Sequence, residues 1–166
     1  MVESLTRSRS LDERGRRPKN KYSMISKIHI VNGPNLNLLG RRQPEIYGGV
    51  SFEEYLVELR AKFSLLDIQY FQSNHEGSLI DYLQEHGYGD GGIVMNAGAY
   101  THTSIAIADA IAAISAPVVE VHISDIYARE EFRRVSYMKA NCIHSVVGKG
   151  LGGYEEAIAF LLAFRA

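Results

Sequence analysis

The 166 residues carry 18 Lys and Arg against 19 Asp and Glu, with 46% hydrophobic residues, one cysteine and no tryptophan. That length gives one domain with a sizeable core, and the hydrophobic fraction excludes wholesale disorder. The lone Cys142 excludes an internal disulfide and a cysteine-based structural zinc, no apolar run of about 18 residues could span a membrane as a helix, and a net charge of −1 argues against a general nucleic-acid binder.

Residues 1–23 differ from the rest. They hold seven Lys or Arg and three Asp or Glu, a net +4, whereas the chain from Met24 onward is a net −5. With few apolar residues and no helical or strand period, they read as a dispensable basic extension that cannot order itself. A nucleic-acid arm or a transit peptide is the alternative, although the acidic residues and the lack of an amphipathic stripe weaken the transit reading. Met24 is expected to be the natural start and residues 24–166 a single domain. No apolar secretion segment precedes it, so a cytoplasmic protein is expected.

From residue 27 strands and helices alternate. Lys27–Val31 is a short β-rich run ended by Asn-Gly-Pro. Ser51-Phe-Glu-Glu54 matches a capping box, opening a helix to about Leu65 with Phe52, Tyr55, Leu56, Leu59 and Phe63 on one stripe. Asp67–Gln72 is a second strand, Glu76–His86 a helix stopped by Gly87, and Gly92–Asn96 a third strand. Thr103–Ser115 is a helix broken at Ala116-Pro117. Val118–Ile123 is a fourth strand, Ile126–Met138 a short charged helix, His144–Val147 a fifth strand and Tyr154–Phe164 a last helix. Strands separated by helices imply right-handed crossovers and a parallel sheet covered on both faces. The expected α/β fold is a three-layer, flavodoxin-like one with five strands in the order 2-1-3-4-5. Its ligand site then lies just after strands 1, 3 and 4, around the switch point.

Three strand ends carry chemistry. After the first, Asn32 to Gly49 is a segment of roughly twenty residues without obvious secondary structure, a length typical of a functional lid or disorder. Asn32, Asn35 and Asn37 suit either turn chemistry or a polar ligand shell. The glycines match no phosphate-cradling pattern. After the third strand, Thr101, Thr103 and Ser104 are candidate helix caps, and His102 is either a loop histidine or a functional one.

The fourth strand is sharper. Glu120, His122 and Ser124 alternate with Val119, Val121 and Ile123, so all three polar side chains share one face. A buried Glu-x-His pair is either a structural ion pair or a histidine whose tautomer and pKa the carboxylate sets. Arg129 and Arg133, four apart on the expected helix, either pair with Glu130 and Glu131 or bind an anionic, oxygen-rich ligand. These residues by themselves suggest a metal-free site for a small hydroxylated acid, with His122 and Tyr47 as proton carriers. A non-catalytic receiver or flavin carrier of the same fold is disfavoured. The first strand ends in Asn and Gly rather than an acidic cluster, and no hydroxylated phosphate loop follows it.

Longer motifs go further. Asn32-Gly-Pro-Asn-Leu-Asn-Leu-Leu-Gly-Arg with the following Tyr47-Gly48, Gln72-Ser-Asn-His-Glu-Gly, Asn96-Ala-Gly-Ala-Tyr-Thr-His-Thr-Ser, Val119-Glu-Val-His-Ile-Ser and Ala128-Arg-Glu-Glu-Phe-Arg closely resemble the type II 3-dehydroquinate dehydratases, over about residues 27–164. The resemblance implies a hydro-lyase of the shikimate pathway and aromatic amino acid biosynthesis. Such an enzyme converts 3-dehydroquinate to 3-dehydroshikimate by anti elimination through an enolate, without metal or cofactor, as a dodecamer built from trimers. By position it implies Tyr47 as base, Arg42 favouring its tyrosinate form, Asn35 holding the water that stabilises the enolate, and His122 as acid with Glu120 orienting it. Asn96, His102 and Arg133 would bind substrate hydroxyls, and the backbone amides of Ile123 and Ser124 the carboxylate. Arg129 would join the closing lid, and Asp109 would reach a neighbouring subunit's site. The sequence departs from the family pattern at Gln43, Ala108, Asp125, Tyr127 and Val135. Of these, Asp125 is expected to add a negative charge beside the anion's site.

Overall fold

The computed structural model describes residues 25–41 and 49–164. The basic extension, Arg42, Gln43 and Tyr47 lie outside the described residues. Strands β1 (Lys27–Asn32), β2 (Asp67–Gln72), β3 (Gly92–Asn96), β4 (Val118–His122) and β5 (His144–Val147) form an all-parallel sheet. Its order is β2-β1-β3-β4-β5, the expected arrangement. Helices α1 (Phe52–Lys62), α2 (Glu76–His86), α3 (Ile105–Ala113) and α4 (Gly152–Ala163) cover it.

Period-two alternation divides the core. Ile28 and Ile30 of β1, Val94 of β3 and Val119 and Val121 of β4 pack with Phe52, Leu56 and Leu59 of α1 and Tyr154, Ile158 and Leu161 of α4. Val31, Ile93, Met95 and Val118 pack on the other face with Leu79 and Leu83 of α2 and Ile107 and Ile111 of α3. Because both faces are covered, the strands read as nearly continuous apolar runs. Their few polar residues therefore stand out.

The local signals mostly hold. Ser51 and Glu54 form the reciprocal capping box at the start of α1, and α2 spans the expected residues. Helix α3 is shorter than expected. Ser104 is its cap, accepting from the Ile107 N–H, while Thr101 and Thr103 are not. At its far end the Ser115 and Ala116 N–H groups turn to the Gly87 carbonyl instead of continuing the helix.

The expected helix over Ile126–Met138 is not formed. The segment is a chain of 3₁₀ turns at Ile126–Ala128, Glu131–Arg133 and, just beyond, Lys139–Asn141. Long-range bonds claim groups that a helix would use internally. The Tyr137 N–H donates to the Thr101 carbonyl, the Val135 carbonyl meets His102, and the Ser136 hydroxyl reaches Glu120. Its apolar residues also lack a helical stripe: Ile126 and Met138 are buried, whereas Tyr127, Phe132, Val135 and Tyr137 are exposed.

Candidate active site

The carboxyl ends of β1, β3 and β4 open into a cleft of about 390 Å³, where a doubly wound sheet is expected to bind its ligand. Asn35, Asn96, His102, His122, Ile123, Ser124, Arg129 and Arg133 all line it. Glu120 sits behind His122, and Asp109 lies on the exposed side of α3, outside the cleft of its own chain.

Each wall has a local cause. Gly33 passes so close to β3 that an added Cβ would lie 2.3 Å from the Ala97 carbonyl oxygen, so only glycine lets the loop after β1 cross there. The chain then places Asn35 in the left-handed region at φ 67°, which Asn tolerates better than most residues. The Asn35 N–H donates to Asn74 Oδ1 at 3.0 Å, and its side chain makes no capping bond to the 3₁₀ turn at Leu36–Leu38. On the other side, the backbone N–H groups of Ile123 and Ser124 donate to no backbone carbonyl among the described residues.

The face shared by Glu120 and His122 is as the alternation requires, and both side chains are buried. His122 Nε2 stands 3.5 Å from Glu120 Oε1, near enough for charge attraction but without the alignment of a full hydrogen bond. The Ser145 hydroxyl donates to Glu120 Oε1 at 2.7 Å and the Ser136 hydroxyl to Oε2 at 2.8 Å. Burial by itself raises the Glu120 pKa, but His122 and the two hydroxyls together outweigh it and hold the carboxyl below its ordinary value. His102 is fixed by Nδ1 at 2.7 Å from the Val135 carbonyl oxygen. Its pKa is lowered by burial first, then by His122, Arg133 and Arg129, against the pull of that carbonyl. It therefore favours the neutral imidazole, able to donate or accept towards a hydroxyl.

Arg129 and Arg133 reach the cleft without the helix face expected of them. Glu130 Oε2 lies 3.5 Å from Arg129 Nε and 3.2 Å from Arg133 Nε. This pairing orders the two guanidiniums and leaves one net positive charge among the described lining residues, Arg129, Glu130 and Arg133. Arg129 also reaches the Ser124 hydroxyl at 3.5 Å. The negative charge expected from Asp125 is turned away: its carboxylate accepts the Tyr127 N–H at 2.9 Å and does not line the cleft. Among the described residues, no three His, Cys, Asp or Glu side chains gather as a metal site would need, and no helix is long and apolar enough to cross a membrane.

Several contributors lie outside the expected set. Ser136, Ser145, Asn74 and the Val135 carbonyl support it from the rear, and the fully buried Tyr154 bridges Asn32 and Asn96. A polar residue at a core-facing helix position was the only sequence signal for Tyr154. The serines had none.

Comparison with known proteins agrees with this geometry. Residues 26–162 match the family model described as Dehydroquinase class II. A 3-dehydroquinate dehydratase of an Exiguobacterium species is 52% identical over 137 residues, covering 82% of this chain and 94% of that protein. The crystal structure of a type II dehydroquinase from Propionibacterium acnes superposes with a TM-score of 0.80 at 37% identity, covering 86% of this chain and 100% of the other. That of Butyrivibrio crossotus gives 0.78 at 45% identity, covering 84% and 99%.

Proposed function

The chain belongs to the class II dehydroquinases, and from that premise we propose that it dehydrates 3-dehydroquinate to 3-dehydroshikimate by a metal-free anti elimination through an enolate. The observation that carries the proposal is the cleft itself, where a buried Glu120–His122 pair faces Asn35, Asn96, His102 and two arginines.

Tyr47 removes the proton beside the ketone, and a water held by Asn35 stabilises the resulting enolate. A free tyrosine has a pKa near ~10, so forming tyrosinate at neutral pH costs roughly 4 kcal/mol. A nearby Arg42 offsets much of that by charge in a site closed to water. His122 protonates the departing C1 hydroxyl, which leaves as water while the enolate collapses to the conjugated enone. The ionised Glu120 behind it orients the ring. Nε2 faces Glu120, which leaves Nδ1 to serve the leaving group. Asn96, His102 and Arg133 hold substrate hydroxyls, the amides of Ile123 and Ser124 hold the carboxylate, and Arg129 belongs to the closing set.

The same reading makes the protein a cytoplasmic shikimate-pathway enzyme that works as a dodecamer built from trimers, with Asp109 completing a neighbour's cleft. Exposed apolar side chains support an assembly: Ile105 on the helix that carries Asp109 is 61% exposed and Phe132 67%.

The test follows the absorbance of the enone formed from 3-dehydroquinate. Tyr47→Phe, Arg42→Ala and His122→Ala should each lower kcat about a hundredfold or more, with modest changes in KM. Full turnover by Tyr47→Phe would exclude the assigned base, wild-type kcat in His122→Ala the assigned acid, and no enone from folded wild-type protein the reaction itself.

A further inference from the structure

The cleft has a buried polar support to which the far end of the chain contributes a fully buried tyrosine. Tyr154, in the first turn of α4, has no exposed surface. Its hydroxyl donates to Asn32 Oδ1 at 2.8 Å and accepts from Asn96 Nδ2 at 3.0 Å. Asn32 and Asn96 are register partners at the carboxyl ends of β1 and β3, the two strands that border the switch point. Burial holds the Tyr154 pKa far above the ordinary tyrosine value, outweighing the hydrogen bonds to Asn96 and Asn32 that lower it, so the hydroxyl keeps its proton.

The hydrogen-bond directions are determined. The Gly98 N–H donates to Asn96 Oδ1 at 3.1 Å, which places the amide nitrogen of Asn96 on the other side, facing Tyr154. The tyrosine then has to spend its single proton on Asn32 Oδ1. Gly98 thus settles which end of the Asn96 amide is oxygen, and Tyr154 holds the nitrogen end so that the plane cannot swing. An amide nitrogen carries two protons, and Tyr154 accepts one. Asn96 lines the cleft, where the second proton has no acceptor within the protein among the described residues.

We infer that Tyr154 is a positioning residue: by anchoring the amide nitrogen of Asn96 from behind, it aims that nitrogen's second N–H into the cleft as a preset donor to a substrate hydroxyl. The inference rests on the reading of Asn96 as a substrate-binding residue and adds a residue that never touches the substrate. A ligand-binding amide held at both ends loses little freedom when the ligand arrives, whereas one held only by Gly98 has to be ordered by the substrate. The effect therefore belongs to binding, and it passes entirely through Asn96.

The test is a double-mutant cycle read in steady-state kinetics with 3-dehydroquinate. Tyr154→Phe keeps the ring and removes only the hydroxyl. It should raise KM about three- to tenfold, the scale of one ordinary hydrogen bond, with kcat nearly unchanged. Asn96→Ala should raise KM more, and adding Tyr154→Phe to it should change KM no further. A purely structural role would lower thermal stability yet leave KM alone, or act equally in both backgrounds. Wild-type KM in Tyr154→Phe beside a raised KM in Asn96→Ala overturns the positioning role alone, as does an additive double variant. Wild-type KM in Asn96→Ala overturns the reading of Asn96 and the positioning role with it. Should Tyr154→Phe not fold, Tyr154→Met takes its place. It likewise removes the hydroxyl that accepts from Asn96, and the same rise in KM, absent in the Asn96→Ala background, is expected; no rise overturns the inference.

Discussion

A carboxylate buried on a central strand persists as an anion only if donors replace the water it has lost. Glu120 has two serine hydroxyls in that role, with the His122 imidazole 3.5 Å away. Removing both hydroxyls, as in Ser136→Ala with Ser145→Ala, leaves burial opposed by His122 alone and should raise the Glu120 pKa. Glu120 would then take up a proton at a higher pH and lose the charge that orients His122. The acid limb of the kcat profile should move to higher pH, and kcat near neutrality should fall about tenfold; an unshifted limb would mean that the serines only pack. The Glu-x-His alternation was legible in the sequence because a strand's period is short and local. The serines were not. They lie 16 and 25 residues from Glu120, in segments whose own patterns carry no hint of it. Tyr154 shows the same limit, since it is 122 residues from Asn32.

At the level of elements, β2, α2, β3 and β5 have the bounds expected of them because apolar runs and Gly or Pro punctuation agree there. The segment over Ile126–Met138 has charge and length suited to a helix, but bonds to Thr101, His102 and Glu120 decide otherwise. The pairing of β1 with α2 carries a consequence for pH. His29 of β1 is buried, its Nδ1 lies 2.9 Å from the Tyr82 hydroxyl, and its ring stacks on His86 at 4.7 Å. Burial first, then His86 and Lys27, lower its pKa below 6.5, with Asp67 opposing. The unfolded chain therefore binds this proton before the folded one does. Stability rises with pH through that window and is lost on acidification below about 6.5. Thermal melts should show Tm falling from pH 7 to pH 5, and His29→Gln should flatten that fall; an equally steep fall in the variant would place the titration elsewhere.

For the whole molecule, the balanced net charge of −1 averages a basic extension and an acidic domain. An acidic domain that takes an anionic substrate has to supply its positive field locally, and Arg129 and Arg133 do so at the cleft, restrained by Glu130. The proposed assembly is tested on the exposed apolar surface. Phe132→Glu should reduce the solution mass measured by light scattering to that of smaller species, and activity should fall with it if Asp109 completes a neighbour's cleft. An unchanged mass would show that Phe132 lies outside any interface. The sequence by itself determined the five-stranded parallel order, the strand ends that bear the cleft and most of the residues that line it. These follow from short-range periodicity, turn residues and the handedness of crossovers, all written within a few residues of one another. Only the tertiary structure decided the orientation of those groups: the serines on Glu120, the carbonyl on His102, the diverted Asp125 and the tyrosine behind Asn96. Those contacts join segments far apart in the chain, and a hydrogen bond depends on distance and direction in space, which spacing along the sequence does not encode.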